Sequence, residues 1–329
     1  MSRITVIGAG AWGTALAQVY ASAGHDVMLW AREDALAESI QRTKENATYL
    51  PGIALAGNIR ATSDLEKALK EDIILNVVPA QYMRAILEQM KPYLRPDQPM
   101  VLCAKGIEIQ SRQLLSDIVR EQCSNPVAIL TGPSFAIDLV KGKPTAATLA
   151  CTDKHLGKRI QESLSSKTLR LYTSDDVIGA QIGGAIKNVI AIACGIVEGL
   201  GLGESARAAL VTRGLAEIAR LTVALGGKRE TLMGQCGVGD LMLTCSSQQS
   251  RNFSFGYLMG KGQSAEEILS QRKSVTEGVT TAKAAVQLAK DFDIDMPITE
   301  SVHACIEGRL SIEDALAEIM DRPARGELS

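Results

Sequence analysis

Histidine and aromatic residues are scarce in this chain: three of its 329 residues are histidine, and aromatics make up 4%. So few rings argue against a stacking platform for single-stranded nucleic acid. An excess of charge is also missing. Thirty-five Lys and Arg against 37 Asp and Glu leave a net charge of −2. Such a balance exerts no long-range pull on nucleic acid or an anionic membrane, so any anion site must be local. The seven cysteines (Cys103, Cys123, Cys151, Cys194, Cys236, Cys245 and Cys305) are widely spaced, odd in number and never form CxxC. This pattern predicts a reducing compartment, no disulfide framework and no metal site. No charged, apolar and cleavage-site triplet opens the chain, so no signal peptide and a cytoplasmic location are expected. The longest apolar stretch, Val177 to Val197, carries Gln181, Lys187 and Asn188 in its middle. A lysine at a bilayer centre costs roughly 2.5–3.5 kcal/mol or more, so a buried core helix is expected rather than membrane insertion.

Two textures divide what is present. Up to about Ser174, short apolar runs alternate with helical spacing. Strands are expected at 3–8, 26–31, 72–78, 99–104, 126–130, 146–150 and 169–172. Helices are expected at 12–23, 33–42, 81–91, 112–122 and 153–164. That alternation predicts a parallel sheet covered on both faces. Beyond Ser174 helical periods dominate, at 176–198, 204–225, 264–271, 278–291, 299–307 and 311–320. The fold class is therefore α/β plus all-α, with residues 1–174 as a doubly wound domain and 175–329 as a helical one.

Gly8-Ala9-Gly10-Ala11-Trp12-Gly13 reads G-x-G-x-x-G between a strand and a helix, the context of a Rossmann-type dinucleotide fingerprint. Gly8 permits the tight turn, Gly10 lets the backbone approach a pyrophosphate, and Gly13 lets the helix pack close to the strand. An NAD-selective site places an acid at the end of the second strand. Here Trp30-Ala31-Arg32 stands there, and an arginine suits the 2′-phosphate of NADP; Glu33 follows it. NADPH or NADH is the expected cofactor, with strict NAD use disfavoured.

Reducing a ketone with hydride needs a proton donor, and the reverse needs a base. His25, His155 and His303 join no polar cluster. Lys187 is the one charged residue between Asp176 and Glu198, among small and apolar neighbours that lower an ammonium pKa. Asn188 is placed to bond a substrate hydroxyl or to orient the lysine. Asp240 and Thr244 share a face if their run is helical, and the carboxylate then suits a counter-charge to Lys187. Arg251 and Asn252 offer a planar fork and an amide suited to a phosphate. Lys105 and Ser134 follow strands, where ligands of open α/β sheets bind. A snorkelling lysine and a polar loop are the unremarkable alternatives for Lys187 and the 237–252 region.

With these motifs the chain resembles the bacterial, biosynthetic NAD(P)-dependent glycerol-3-phosphate dehydrogenases from Ile4 to about Gly308. The resemblance rests, in order, on residues 8–15, Lys105-Gly106, Gly132-Pro133-Ser134-Phe135-Ala136, Gly183 to Val189, Gly237 to Leu241, Ser250-Arg251-Asn252, Val275 to Gly278, and Met296-Pro297-Ile298. It implies that Lys187 is the proton acceptor in glycerol phosphate oxidation. It implies that Ala11, Trp12, Arg32, Ala136, Val275 and Glu277 line the cofactor, and that Lys105 and Arg251 touch both cofactor and substrate. Gly132, Ser134, Asp240, Ser250 and Asn252 would hold the substrate, sn-glycerol 3-phosphate or dihydroxyacetone phosphate. It further implies a second domain resembling that of 6-phosphogluconate dehydrogenase, a homodimer, and a role in phospholipid synthesis. Ala11 departs from the pattern, since related chains often have Ser there. A 3-hydroxyacid or 6-phosphogluconate-type dehydrogenase, and a dinucleotide sensor without turnover, are the competing readings.

Overall fold

A computed structural model describes residues 2–272, 274–323 and 326. The chain divides into two compact units. One holds the described residues up to Ala104 together with Leu115–Val177, and the other holds Lys105–Leu114 with the described residues from Ile178 on.

In the first unit eight strands form one sheet: β1 (Arg3–Ile7), β2 (Asp26–Trp30), β3 (Ile59–Thr62), β4 (Ile73–Asn76), β5 (Met100–Leu102), β6 (Val127–Thr131), β7 (Thr145–Ala150) and β8 (Leu169–Ser174). Their order is β3-β2-β1-β4-β5-β6-β7-β8. The strands read as apolar runs because both faces are covered, and Ile4, Val6, Val27, Leu29, Ile74 and Leu75 are fully buried. Helices α1 (Ala11–Ser22) to α7 (Lys154–Leu164) connect them: α2 (Asp34–Thr43), α3 (Leu65–Ala68), α4 (Met83–Met90), α5 (Leu115–Gln122) and α6 (Ala136–Val140) lie between. The direction of connection reverses between β1 and β4, the switch point where such sheets bind ligands.

Two expectations need correction. The sheet is not wholly parallel, since β7 runs antiparallel to β6. The link between them, residues 132–144, carries one five-residue helix, α6. The strand β3, Ile-Arg-Ala-Thr, was not expected. It is a four-residue edge strand with one buried position, and an edge strand carries little of the apolar signal that marks a central one.

The second unit is helical: α8 (Val177–Leu200), α9 (Glu204–Ala224), α10 (Asp240–Cys245), α11 (Arg251–Gly260), α12 (Ala265–Ser270), α13 (Glu277–Asp291), α14 (Pro297–Ile306) and α15 (Ile312–Met320). α8 is long and apolar enough to cross a membrane, yet 94% of its most apolar window is buried by the rest of the protein. It is the central core helix. Ile107 and Leu114 belong to the same core and form an isolated antiparallel bridge with each other. That packing assigns Lys105–Leu114 to the second unit, although the strand–helix alternation groups it with the first.

α8 and α11 meet backbone to backbone. A Cβ on Gly195 would lie 2.1 Å from the Phe253 carbonyl oxygen, and one on Gly256 would lie 1.9 Å from that of Ile192. One helical turn on, Gly199 and Gly260 repeat the contact. Side chains normally hold helices 8–10 Å apart, and glycine removes that spacer.

Glu217 on α9 ties down α14. Its buried carboxylate accepts hydrogen bonds from the Ile298 N–H (2.6 Å), the Thr299 N–H (3.1 Å) and the Thr299 hydroxyl (2.8 Å). Burial outweighs these bonds and pushes the carboxyl up to about 7. The folded state therefore holds the proton more tightly than the unfolded chain, whose glutamate titrates near 4.5. Stability contributed by this group falls as pH rises between those values. Glu217→Ala should cost about 2–4 kcal/mol, because two buried N–H groups lose their acceptor. Denaturant titrations from pH 4.5 to 7.5 should show a lower midpoint and a flatter pH dependence than in the parent.

Candidate active site

In the first unit, the glycine-rich turn leaves β1 at the sheet's switch point. Gly8 has φ +114°, a conformation that strains any L side chain, and a Cβ there would lie 3.2 Å from the Val77 backbone. A Cβ on Gly13 would fall 1.9 Å from the Gly8 carbonyl oxygen, so α1 presses directly on the turn. Gly10 is different. A Cβ there meets nothing within 4 Å. It stands at the N-cap of α1, which no side chain caps. The first N–H groups of a helix lack internal acceptors, so open space over uncapped amides fits a pyrophosphate. Ala11 and Trp12 open the same helix.

Arg32 follows β2 with a side chain 75% exposed, and its guanidinium contacts the Glu33 carboxylate at 2.6 Å. The acid that follows Arg32 in sequence is thus its ion-pair partner. Ser134 donates to the Gly132 carbonyl at 3.2 Å, and Ala136 opens α6. A Cβ on Gly132 would lie 2.8 Å from the Ala147 Cα, so the glycine keeps this turn against β7.

In the second unit, Lys187 lies on α8 one turn beyond Gly183 and on the same face. A Cβ at Gly183 would meet the Cys236 carbonyl oxygen at 2.6 Å. This close approach brings up the segment Gln235–Gly239, wound as a single π turn. Such turns recur at functional sites. Gly237 fits beneath Leu232, where a Cβ would be 2.0 Å from the Leu232 carbonyl oxygen. The π turn runs straight into α10, whose first residue is Asp240.

Asp240 is 1% exposed and sits between two ammonium groups. Lys187 Nζ donates to its Oδ1 at 2.5 Å and Lys105 Nζ to its Oδ2 at 2.6 Å. Lys187 Nζ also donates to the Thr244 hydroxyl at 2.6 Å. Asp240 and Thr244 lie one turn apart on α10. Burial lowers the Lys187 pKa to about 8; Asp240 opposes that shift and Lys105 reinforces it. One carboxylate and two ammonium groups leave a net charge of +1, so the cluster is suited to an anion. Asn188 is 5% exposed, and its side-chain amide has no hydrogen-bond partner among the described residues.

Nearby, Ser250 caps α11 by accepting from the Phe253 N–H at 3.2 Å. Arg251, the first residue of that helix, is exposed. The Asn252 Oδ1 accepts from the Gly278 N–H at 2.9 Å, which turns its NH2 group the other way. Gly278 can approach because it lacks a Cβ, which would lie 2.7 Å from both the Asn188 carbonyl oxygen and the Asn252 Oδ1. α8, α11 and the start of α13 therefore converge at these three residues. Val275 is exposed just before α13 and Glu277 begins it.

One residue of this region was not anticipated. Arg272 donates to the Arg251 carbonyl (2.6 Å), the Ser254 hydroxyl (3.0 Å) and the Thr276 hydroxyl (3.3 Å), and lies over the Phe255 ring. Burial, then the nearby Arg251 charge, lowers its pKa. In sequence it is one arginine in a polar stretch, and nothing local distinguishes it.

Two family models match this chain. The N-terminal model of NAD-dependent glycerol-3-phosphate dehydrogenase covers residues 3–157, and its C-terminal counterpart covers 176–317. The chain belongs to the NAD-dependent glycerol-3-phosphate dehydrogenase family. It is 51% identical over 326 residues to the glycerol-3-phosphate dehydrogenase [NAD(P)+] of Parvibaculum lavamentivorans, covering 99% of this chain and 98% of the relative. The Maricaulis maris enzyme of that name is 52% identical over 321 residues, covering 97% and 96%. Among solved structures, glycerol-3-phosphate dehydrogenase from Coxiella burnetii superposes with a TM-score of 0.94 at 37% identity, covering 98% of this chain and 99% of that one. Membership in this family makes the chain an NAD(P)-dependent oxidoreductase.

The second and third glycines of the turn should separate experimentally. Gly13→Ala should lower the melting temperature by several degrees, as overpacking costs typically about 1–3 kcal/mol. Gly10→Ala should leave it within a degree or so, since Gly10 has φ −71° and open space, while NADPH affinity measured by fluorescence titration falls.

Proposed function

We propose that this protein interconverts dihydroxyacetone phosphate and sn-glycerol 3-phosphate with NADPH or NADH, supplying glycerol 3-phosphate for phospholipid synthesis. The observation that carries the reading is the buried Lys105–Asp240–Lys187 cluster beside the cap of α11. The net positive charge of the cluster suits both a phosphorylated substrate and an oxygen that becomes negative during reaction.

Bound NAD(P)H supplies a hydride, and bound NAD(P)+ accepts one. Everything else falls to this chain's residues. An ammonium has three N–H groups. Lys187 uses one on Asp240 and one on Thr244, and the third is assigned to the substrate oxygen on C2. In reduction Lys187 gives that oxygen a proton as the alkoxide forms; in oxidation the neutral amine removes it. Asp240 and Thr244 aim the lysine. Asn188, with its unpaired amide, bonds the same oxygen or the neighbouring hydroxyl. Arg251, the Asn252 NH2 group and the Ser250-capped start of α11 hold the phosphate. Lys105 stands close to both cofactor and substrate, with Gly132 and Ser134 on the substrate. Gly8, Gly10, Ala11, Trp12 and Gly13 hold the pyrophosphate and nicotinamide side, and Ala136, Arg251, Val275 and Glu277 complete the cofactor contacts. Arg32 takes the 2′-phosphate of NADPH after leaving Glu33. An exposed pair of this kind is worth little, so a phosphate dianion competes well for the guanidinium. We assign the protein to the cytoplasm as a homodimer.

Oxidation of NADPH at 340 nm with dihydroxyacetone phosphate tests the reaction directly; no rate with either nucleotide would overturn it. Lys187→Ala should lower kcat by roughly a thousandfold and leave the NADPH dissociation constant within about twofold of the parent. The reductive kcat/KM should fall as pH rises through about 8, because the ammonium is the donor. Asp240 raises the Lys187 pKa and Lys105 lowers it. The limb should therefore move to lower pH in Asp240→Asn and to higher pH in Lys105→Met.

A further inference from the structure

Three of the six residues in the turn Gly8–Gly13 are glycine, so side-chain sterics cannot fix its shape. Something outside the turn must. Asn46, 37 residues away from Ala9, is fully buried beneath it. Its Nδ2 donates to the Ala9 carbonyl oxygen at 2.8 Å and to the Thr14 hydroxyl at 2.8 Å. Its Oδ1 accepts from the Tyr49 N–H at 3.2 Å. The Thr14 hydroxyl also points at the Ala9 carbonyl, at 3.5 Å. Asn46 thus joins both ends of the turn to the segment between α2 and β3.

The consequence follows from peptide geometry. The chain has no cis peptide bond among its described residues. In a planar trans peptide the C=O and the next N–H point in opposite directions. With the Ala9 C=O drawn inward to Asn46, the Gly10 N–H points the other way, out of the turn, and the Gly10 Cα has open space where a side chain would stand. If the Ala9 peptide were free to flip, that donor would turn away. We propose that Asn46 is a positioning residue for dinucleotide binding, which locks the Ala9–Gly10 peptide so that the Gly10 N–H faces the pyrophosphate. This rests on the dinucleotide reading of the turn, and it adds a residue that lies outside the glycine motif.

The test is Asn46→Asp. It keeps the shape and the acceptor for Tyr49 but removes both donors. NADPH affinity is measured by titrating its fluorescence on binding, alongside that of adenosine 2′-monophosphate, which has no pyrophosphate. NADPH should bind roughly tenfold more weakly or worse. The fragment's affinity and kcat at saturating NADPH should stay within about twofold. Thr14→Val keeps Asn46 but removes its second anchor; it should weaken NADPH roughly two- to fivefold and serves if the aspartate variant does not fold. Unchanged NADPH affinity in a folded variant overturns the proposal, as does an equal loss for NADPH and the fragment, which marks a purely structural residue. Failure of the parent protein to bind NADPH or NADH would instead overturn the dinucleotide reading itself.

Discussion

A carboxylate buried between two lysines is the constraint around which the second unit is organised. Asp240 would be prohibitively costly to bury alone, and so would Lys187. Each is tolerable because the other is present, 2.5 Å away. The arrangement needs four segments in register: α8 for Lys187, the π turn and α10 for Asp240 and Thr244, and the 105–114 segment for Lys105. Removing Asp240 would leave two ammonium groups facing each other in a buried site. The same mutual dependence explains why burial lowers the Lys187 pKa without taking it far below neutrality: Asp240 holds it up. A group that titrates near working pH can both give and take a proton.

Glycine makes the approach of these segments feasible. Gly183, Gly237 and Gly278 each stand where a Cβ would collide with a neighbouring backbone; Gly183 lies one helical turn before Lys187, Gly237 three residues before Asp240, and Gly278 against Asn188 and Asn252. Their role is to let polar side chains from different helices meet with no hydrophobic spacer between them. The Gly8–Gly13 turn divides its work similarly. Gly13 serves packing, Gly8 serves backbone conformation, and Gly10 leaves room above the helix N-terminus.

Much of this was legible in the sequence because the strongest signals are local. Short continuous apolar runs located the central strands, and the period-3.6 pattern located almost every long helix. The lone charge at Lys187 within an apolar helix stood out because burying it is expensive. The spacing of Asp240 and Thr244 foretold a shared helical face. Features that depend on distant partners were not legible. Lys105 follows a strand in sequence, yet its ammonium group is fixed by Asp240, 135 residues later. Arg272 and Asn46 act through main-chain carbonyls, which leave no trace in residue type. β3 escaped because an edge strand has little to bury, and the antiparallel direction of β7 because a hydrophobic pattern reads the same in either direction.

The glycine contacts between α8 and α11 have a consequence for substrate choice. Packing through side chains can yield by rotamer changes, but main chain against main chain cannot. The offset between Lys187 on α8 and the capped start of α11 is therefore a fixed length written into the backbone. On the proposed reading it works as a gauge: it measures from the carbon being reduced to the phosphate, and accepts or refuses a substrate by the number of bonds between them.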